Sequence, residues 1–241
     1  MYGQRHYTLG RQALAVYAAA LLKMDIVRHA PLPAGPKIIA ANHPTTTDPI
    51  WIVLITREPI HLLITGMIFK IPLVGKFLRL AGHIPVVDGK GRMALEEAIR
   101  RLQDGKTVGI FPEGALSPLS GGLHPLHTGA ARMALATGVP IVPLGIHLDH
   151  SRTLIRETRI DGGTDTARLY LRGPYAMTAG EPLHLHGDIQ DRAYVRAAPE
   201  QIRQRIARLA QESEQRLMAP IPSTLSQGWE SGWGLWRGAK Y

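Results

Sequence analysis

Two rhythms of apolar and polar positions divide this chain. Short apolar runs stand at 37–41, 60–64, 83–87, 107–111 and 139–147. Runs of that length with little polar interruption are what strands buried on both faces show. Between them the spacing lengthens to helical periods. Residues 91–103 place Met93, Ala94, Ala98 and Leu102 on one face and charge on the other. Helices are also expected at 8–24, from Pro49 with Asp48 as its N-cap, at 73–81, at 128–137 with Gly138 ending it, and at 199–218. The last carries Ile202, Ile206, Leu209 and Leu217 on one stripe. Further strands are expected near 168–173 and 181–186. Strands alternating with helices predict an α/β fold: a single domain whose mostly parallel central sheet is flanked by helices.

The expected organisation has three parts. Residues 1–36 hold an N-terminal helix and a linker broken by Pro31, Pro33, Gly35 and Pro36. Residues 37–218 form the α/β domain. Residues 219–241 form a tail with Trp229, Trp233, Trp236 and Tyr241. No internal repeat or low-complexity tract interrupts this.

Composition narrows the chemistry. The 241 residues include no cysteine, which excludes disulfides, thiolate nucleophiles and cysteine-held metal sites. The net charge of +9 and pI near 10.1 call for an anionic partner: nucleic acid, an anionic membrane face, or an acidic carrier or substrate. The excess is spread along the chain without a basic arm or recognised motif, which argues against nucleic acid. No apolar run reaches the roughly 18–20 residues that span a bilayer. Ala13–Leu22, after Arg5 and Arg11, has no cleavage site behind it, so it reads as an interfacial or packed helix rather than a signal peptide.

The densest polar chemistry lies in "IIAANHPTTTDPIWIV", residues 38–53. His43 follows a strand and Asp48 opens the next helix. Their spacing does not share a helix face. The two prolines imply a turn that could fold the aspartate back onto the histidine. A histidine held by a carboxylate is a general-base arrangement, the carboxylate fixing the tautomer and stabilising the imidazolium. The plain alternative is a loop histidine beside a capping aspartate. With no cysteine and no serine in a nucleophile-elbow motif, the simplest mechanism has His43 activate a substrate hydroxyl directly.

Three more stretches follow in order: "GHIPVVDGKGR" at 82–92, "FPEG" at 111–114 and "VPIVPL" at 139–144. With Asn42-His43-x4-Asp48, the set resembles the glycerolipid acyltransferase family, typified by lysophosphatidic acid acyltransferases, over residues 37–147. The resemblance implies transfer of a fatty acyl group from an acyl-CoA or acyl carrier protein thioester to a lysolipid hydroxyl, in phospholipid biosynthesis or remodelling. A 1-acylglycerol-3-phosphate-like acceptor is the favoured one. It implies His43 as base, Asp48 as its partner, and Glu113 and Gly114 at the acceptor site. Pro140 and Pro143 match its last, structural block. It implies no metal and no cofactor beyond the acyl thioester co-substrate. It also implies a peripheral protein on the cytoplasmic side of a membrane, with membrane surface and possible acyl carrier protein as partners.

Three positions depart from the family pattern. Gly89 stands where an arginine usually follows Asp88, Leu116 where an arginine follows the Phe-Pro-Glu-Gly block, and His127 where a lysine precedes the next helix. A desolvated phosphate without cations is costly. Either Lys90 and Arg92 supply the charge, or the acceptor is a non-phosphate lysolipid or another hydroxyl compound. From another class, a non-catalytic basic lipid-binding protein would keep the fold without needing His43, Asp48 and Glu113 together. The pairs His184/His186 and His147/His150 read as chance clusters rather than metal ligands. The tail and Ala13–Leu22 each read either as membrane anchors or as segments packed on the domain.

Overall fold

The computed structural model describes residues 2–160 and 163–218. The tryptophan-rich tail lies outside them. The elements in chain order are α1 (Tyr2–Leu21), β1 (Met24–Arg28), β2 (Ile38–Ala41), α2 (Asp48–Trp51), β3 (Ile60–Thr65), α3 (Val74–Leu80), β4 (Ile84–Val86), α4 (Gly91–Gln103), β5 (Thr107–Ile110), α5 (Gly129–Thr137), β6 (Ile141–Leu148), β7 (Leu154–Ile160), β8 (Gly163–Leu169), β9 (Tyr175–Ala179) and α6 (Arg192–Met218). Short 3₁₀ turns at Ile52–Ile55, Ile68–Lys70 and His150–Arg152 complete the described connections.

Seven strands form one sheet in the order β1-β9-β6-β2-β5-β3-β4. The five strands from β6 to β4 are mutually parallel. β9 runs antiparallel to β6, and β1 runs parallel to β9. The central strands β2 and β5 are buried along their whole length, as their unbroken apolar runs require. α1, α2 and the Ile52–Ile55 turn pack on one face, around Ile39, Leu62, Val142 and Leu144. α4, α5 and α6 cover the other, around Ile38, Val108 and Ile141. Gly145 in β6 makes the α6 contact possible, since a Cβ there would lie 2.0 Å from the Ala210 nitrogen.

This winding creates the site. The chain leaves β2 for α2 on one face and leaves β5 for α5 on the other. Adjacent parallel strands whose connections depart to opposite faces leave a crevice at their carboxyl ends. His43 follows β2 and Glu113 follows β5, so both fall at that crevice.

Several expectations need correction. Residues 181–186 are not a strand; Leu183 makes a single bridge to Ile141, and the strand here is β9. The strand expected at 168–173 is only the end of β8, one arm of a separate two-stranded β7–β8 hairpin. β1 was not expected, because Met24–Arg28 is half-buried and follows no alternation. The helix expected from 199 begins at Arg192, where the Asp191 carboxylate accepts the N–H groups of Ala193 and Tyr194. Pro199 then sits inside the helix rather than opening it.

Candidate active site

The turn from Asn42 to Asp48 is pinned at both ends. The Asn42 side chain donates to the Ile146 carbonyl at 2.9 Å and accepts the Ile146 N–H at 2.7 Å, fixing β2 to β6 just beyond their ladder. At the far end Asp48 is fully buried. It is not an N-cap. Thr47 holds the cap position without a capping bond from its side chain, and Asp48 is the first residue of the single-turn α2. Its carboxylate serves the turn instead. Oδ2 accepts the Thr45 N–H at 2.7 Å and faces His43 Nδ1 at 3.0 Å. Oδ1 accepts the Thr45 hydroxyl at 2.6 Å and the Tyr175 phenol at 2.9 Å.

The two prolines thus do bring His43 and Asp48 together. Because the carboxylate only accepts, Nδ1 carries the proton, and Nε2 keeps the lone pair that takes a substrate proton. The imidazole lies flat on Phe111, ring centroids 4.0 Å apart, which limits its rotation. Its side chain is 18% exposed while Asp48 is at 0%: the base reaches the crevice and its partner does not.

Tyr175 was invisible to sequence reasoning. It lies on β9, 127 residues from Asp48, in no motif. Burial pushes its phenol well above the usual value near 10, and the Asp48 charge adds to that. It is therefore a permanent neutral donor to the carboxylate. Ser117 was also overlooked as a site residue, although it stands in the Ala115-Leu116-Ser117 run that follows Phe-Pro-Glu-Gly. Its N–H donates to the His43 carbonyl at 2.8 Å, and its hydroxyl accepts the His43 N–H at 2.9 Å.

Glu113 is buried beside them. Oε1 accepts the Ser117 hydroxyl at 2.6 Å and the His43 N–H at 3.2 Å; Oε2 accepts the His124 N–H at 2.8 Å. The carboxylate thereby ties the ends of β2 and β5 to the 112–127 loop. Gly114 has φ 68, and a Cβ there would lie 2.8 Å from the His127 ring. The hairpin closes another side. Thr46 N–H donates to the Arg168 carbonyl at 2.8 Å, and the Arg168 guanidinium donates to the Ser117 carbonyl at 2.6 Å.

Most N–H groups around the start of α2 are already committed. Thr45, Thr46, Asp48 and Ile50 already spend their N–H groups inside the protein, and Pro49 has none.

Lys90 and Arg92 lie at the start of α4. Lys90 is an exposed residue at the N-cap of α4. Arg92 is exposed and paired with Glu96 at 2.7 Å. Arg92 lines a cleft of about 410 Å³ together with Leu63, Val86, Leu95, Thr128 and Arg132. Thr128 opens α5 directly after His127, which donates its N–H to Pro112. Among the described residues no group of three or more His, Asp or Glu side chains is placed to hold a metal ion.

A histidine held by a buried aspartate, on an α/β sheet with a Phe-Pro-Glu-Gly turn against it, is a general-base class of site. Residues 23–147 match the acyltransferase family, and the chain belongs to it. Among curated relatives, a 1-acyl-sn-glycerol-3-phosphate acyltransferase of Bacillus subtilis is 26% identical over 74% of this chain and 83% of its own length. One from Borreliella burgdorferi is 31% identical over 46% of this chain, and a chloroplastic one from Brassica napus is 28% identical over 58%. The matches span less than half the length of those two relatives, 45% and 41%. The crystal structure of the 1-acyl-sn-glycerophosphate acyltransferase of Thermotoga maritima superposes with a TM-score of 0.60 at 21% identity, covering 90% of this chain and 81% of that one. It shares the fold.

Proposed function

We propose that this protein moves a fatty acyl group from a thioester, acyl-CoA or acyl carrier protein, to the free hydroxyl of a lysolipid at a membrane surface. The observation that carries the reading is the buried Asp48 held to His43 Nδ1 in a chain of the acyltransferase family. His43 Nε2 takes the hydroxyl proton as the oxygen attacks the thioester carbonyl carbon. Asp48 stabilises the imidazolium that results. The tetrahedral intermediate collapses by breaking its C–S bond, and the thiolate recovers the proton from Nε2. Ester and free thiol leave, so no covalent enzyme intermediate is required. Glu113 and Gly114 form the acceptor wall, Glu113 acting through the backbone of His43 and His124 that its carboxylate holds.

The favoured acceptor is a 1-acylglycerol-3-phosphate-like lysolipid, as the names of the relatives support. Arg92 and Arg132 flanking one cleft beside the start of α5 offer its phosphate a partner in place of the absent cations. A second reading, a non-phosphate acceptor, is favoured by Gly89, Leu116 and His127 at the usual cationic positions.

The test is acyl transfer by the purified protein in lipid micelles, with both donors and phosphate and non-phosphate lysolipids. Product from lysophosphatidic acid, lost in His43→Ala, is expected. Product only from a non-phosphate acceptor selects the second reading. Lipid binding without transfer from any pair would leave a non-catalytic binding protein.

A further inference from the structure

Large apolar side chains on a protein surface normally stand singly. On α3 they stand together. Leu73 is 82% exposed, Phe77 65% and Leu80 78%, with Val74 beside them. The spacing from 73 to 77 to 80 sets the three on one stripe. Leu73 also has φ 64, a left-handed conformation that disfavours its side chain. The inner side of the helix is the opposite case. Gly75 is buried, and a Cβ there would lie 1.9 Å from the Phe69 carbonyl oxygen. α3 is thus pressed onto the 68–70 turn, its chief packing partner, and holds its apolar stripe outward.

Charge singles out the same segment. Between Glu58 and Asp88 there is no acidic residue, while Lys70, Lys76 and Arg79 are positive. Lys76 and Arg79 are exposed. Arg79 donates to the Phe69 carbonyl at 3.0 Å and stands 5.8 Å over the Phe69 ring, so those partners leave its charge uncancelled. Position fits as well. β3 is parallel to β5, and β5 to β2, so the chain enters α3 from the sheet edge that carries His43 and Glu113.

We propose that α3 seats this enzyme on an anionic lipid bilayer. Leu73, Phe77 and Leu80 enter the head-group boundary, and Lys76 and Arg79 meet lipid phosphates. Protruding apolar groups outnumber the cations here, which fits a bilayer better than an acidic protein. The proposal draws its purpose from the lysolipid reading, but vesicle binding is measured apart from acyl transfer, so either can fail alone.

The chain has no cysteine, so one introduced thiol can carry one environment-sensitive fluorophore. The full chain is labelled at Phe77→Cys and, separately, at Val16→Cys on α1 and Gln103→Cys at the opposite sheet edge. Vesicles are phosphatidylcholine with about one third phosphatidylglycerol. A blue shift at Phe77 and none at Gln103 is expected, weakened by added salt. Leu73→Ser with Phe77→Ser and Leu80→Ser should lower vesicle partition about tenfold or more. Transfer to a detergent-dispersed acceptor should then change by less than about twofold, since the stripe lies outside the catalytic cluster. No shift at Phe77 overturns the assignment, whether the Val16 label shifts instead or the chain ignores the vesicles. So does unchanged partition of the triple variant, or a Phe77 shift with acidic acyl carrier protein and none with vesicles.

Discussion

Asp48 is wholly buried and its carboxylate meets four donors from three residues, His43, Thr45 and Tyr175, whereas Arg92 stands in water with one exposed glutamate beside it. Both lie on one end of the same sheet. The first is held because its job is geometric: a general base loses rate when its ring drifts. The second is loose, as a side chain that meets a partner arriving from outside can be. On the proposed reaction, proton transfer is built into the core, and acceptor recognition is left on the rim, at the start of α4 and in the cleft beside α5.

Substitutions on the buried side should therefore cost far more than those on the rim. His43→Ala should lower kcat by about a thousandfold or more, with the protein still folded. A loss of under tenfold would remove His43 as the base. Next comes the pH dependence of stability, which tests the rim from below. His83 accepts the Leu62 N–H through Nδ1 beneath α3, and desolvation by burial lowers its pKa from 6.5 to about 4. The unfolded chain then binds a proton that the folded chain refuses. Stability should fall as pH drops from 6.5 toward about 4 and level off below, by about 3 kcal/mol in all from this group. His61, also lowered chiefly by burial, adds in the same direction. Urea unfolding of His83→Gln across that range should show a flatter curve.

Glu113→Gln replaces an acceptor of three donors with an amide that must turn an N–H toward one of them. We expect about 1–3 kcal/mol of lost stability and a clear fall in kcat; a change confined to KM would place Glu113 in acceptor contact alone. On the rim, Arg92→Ala with Arg132→Ala should raise the KM for a phosphate-bearing lysolipid about tenfold at constant kcat. An unchanged KM would take the phosphate out of that cleft. The smallest effect belongs to Tyr175→Phe, which deletes one of four donors to Asp48. A loss near 1 kcal/mol in stability and a few-fold fall in kcat are expected, and a thousandfold fall would mean that the phenol does more than steady the carboxylate.

The same contrast governs what could be seen in the sequence. The strands under the site, β2, β5 and β6, are buried on both faces, and their apolar runs announced them. α4 announced itself by its period. β9 did not, because Tyr-Ala-Met-Thr-Ala holds no alternation and little β-branching, yet every residue in it is buried. The β7–β8 hairpin is mostly polar and packs beside the sheet, so no periodicity marked it. The pairing of His43 with Asp48 was legible in a turn bounded by prolines. Its third member was not: Tyr175 reaches Asp48 only because the sheet order sets β9 two strands from β2. Asp48 was misjudged as a cap because the local pattern Thr-Asp-Pro is a helix opening. The turn's own Thr45 and the distant Tyr175 claimed its carboxylate instead.

The first and ninth strands lie side by side, in parallel register from Met24↔Tyr175 to Arg28↔Ala179. On the ribosome, β1 must therefore wait for about 150 further residues before its partner emerges. At roughly 5–20 residues per second that is on the order of 8–30 s. Through that interval α1 and the Ile38–Ala41 run have no completed sheet to cover them. Tyr175 sits in the strand that ends the wait, so the full donor set around Asp48 and closure of the sheet should arrive together, once β9 has emerged.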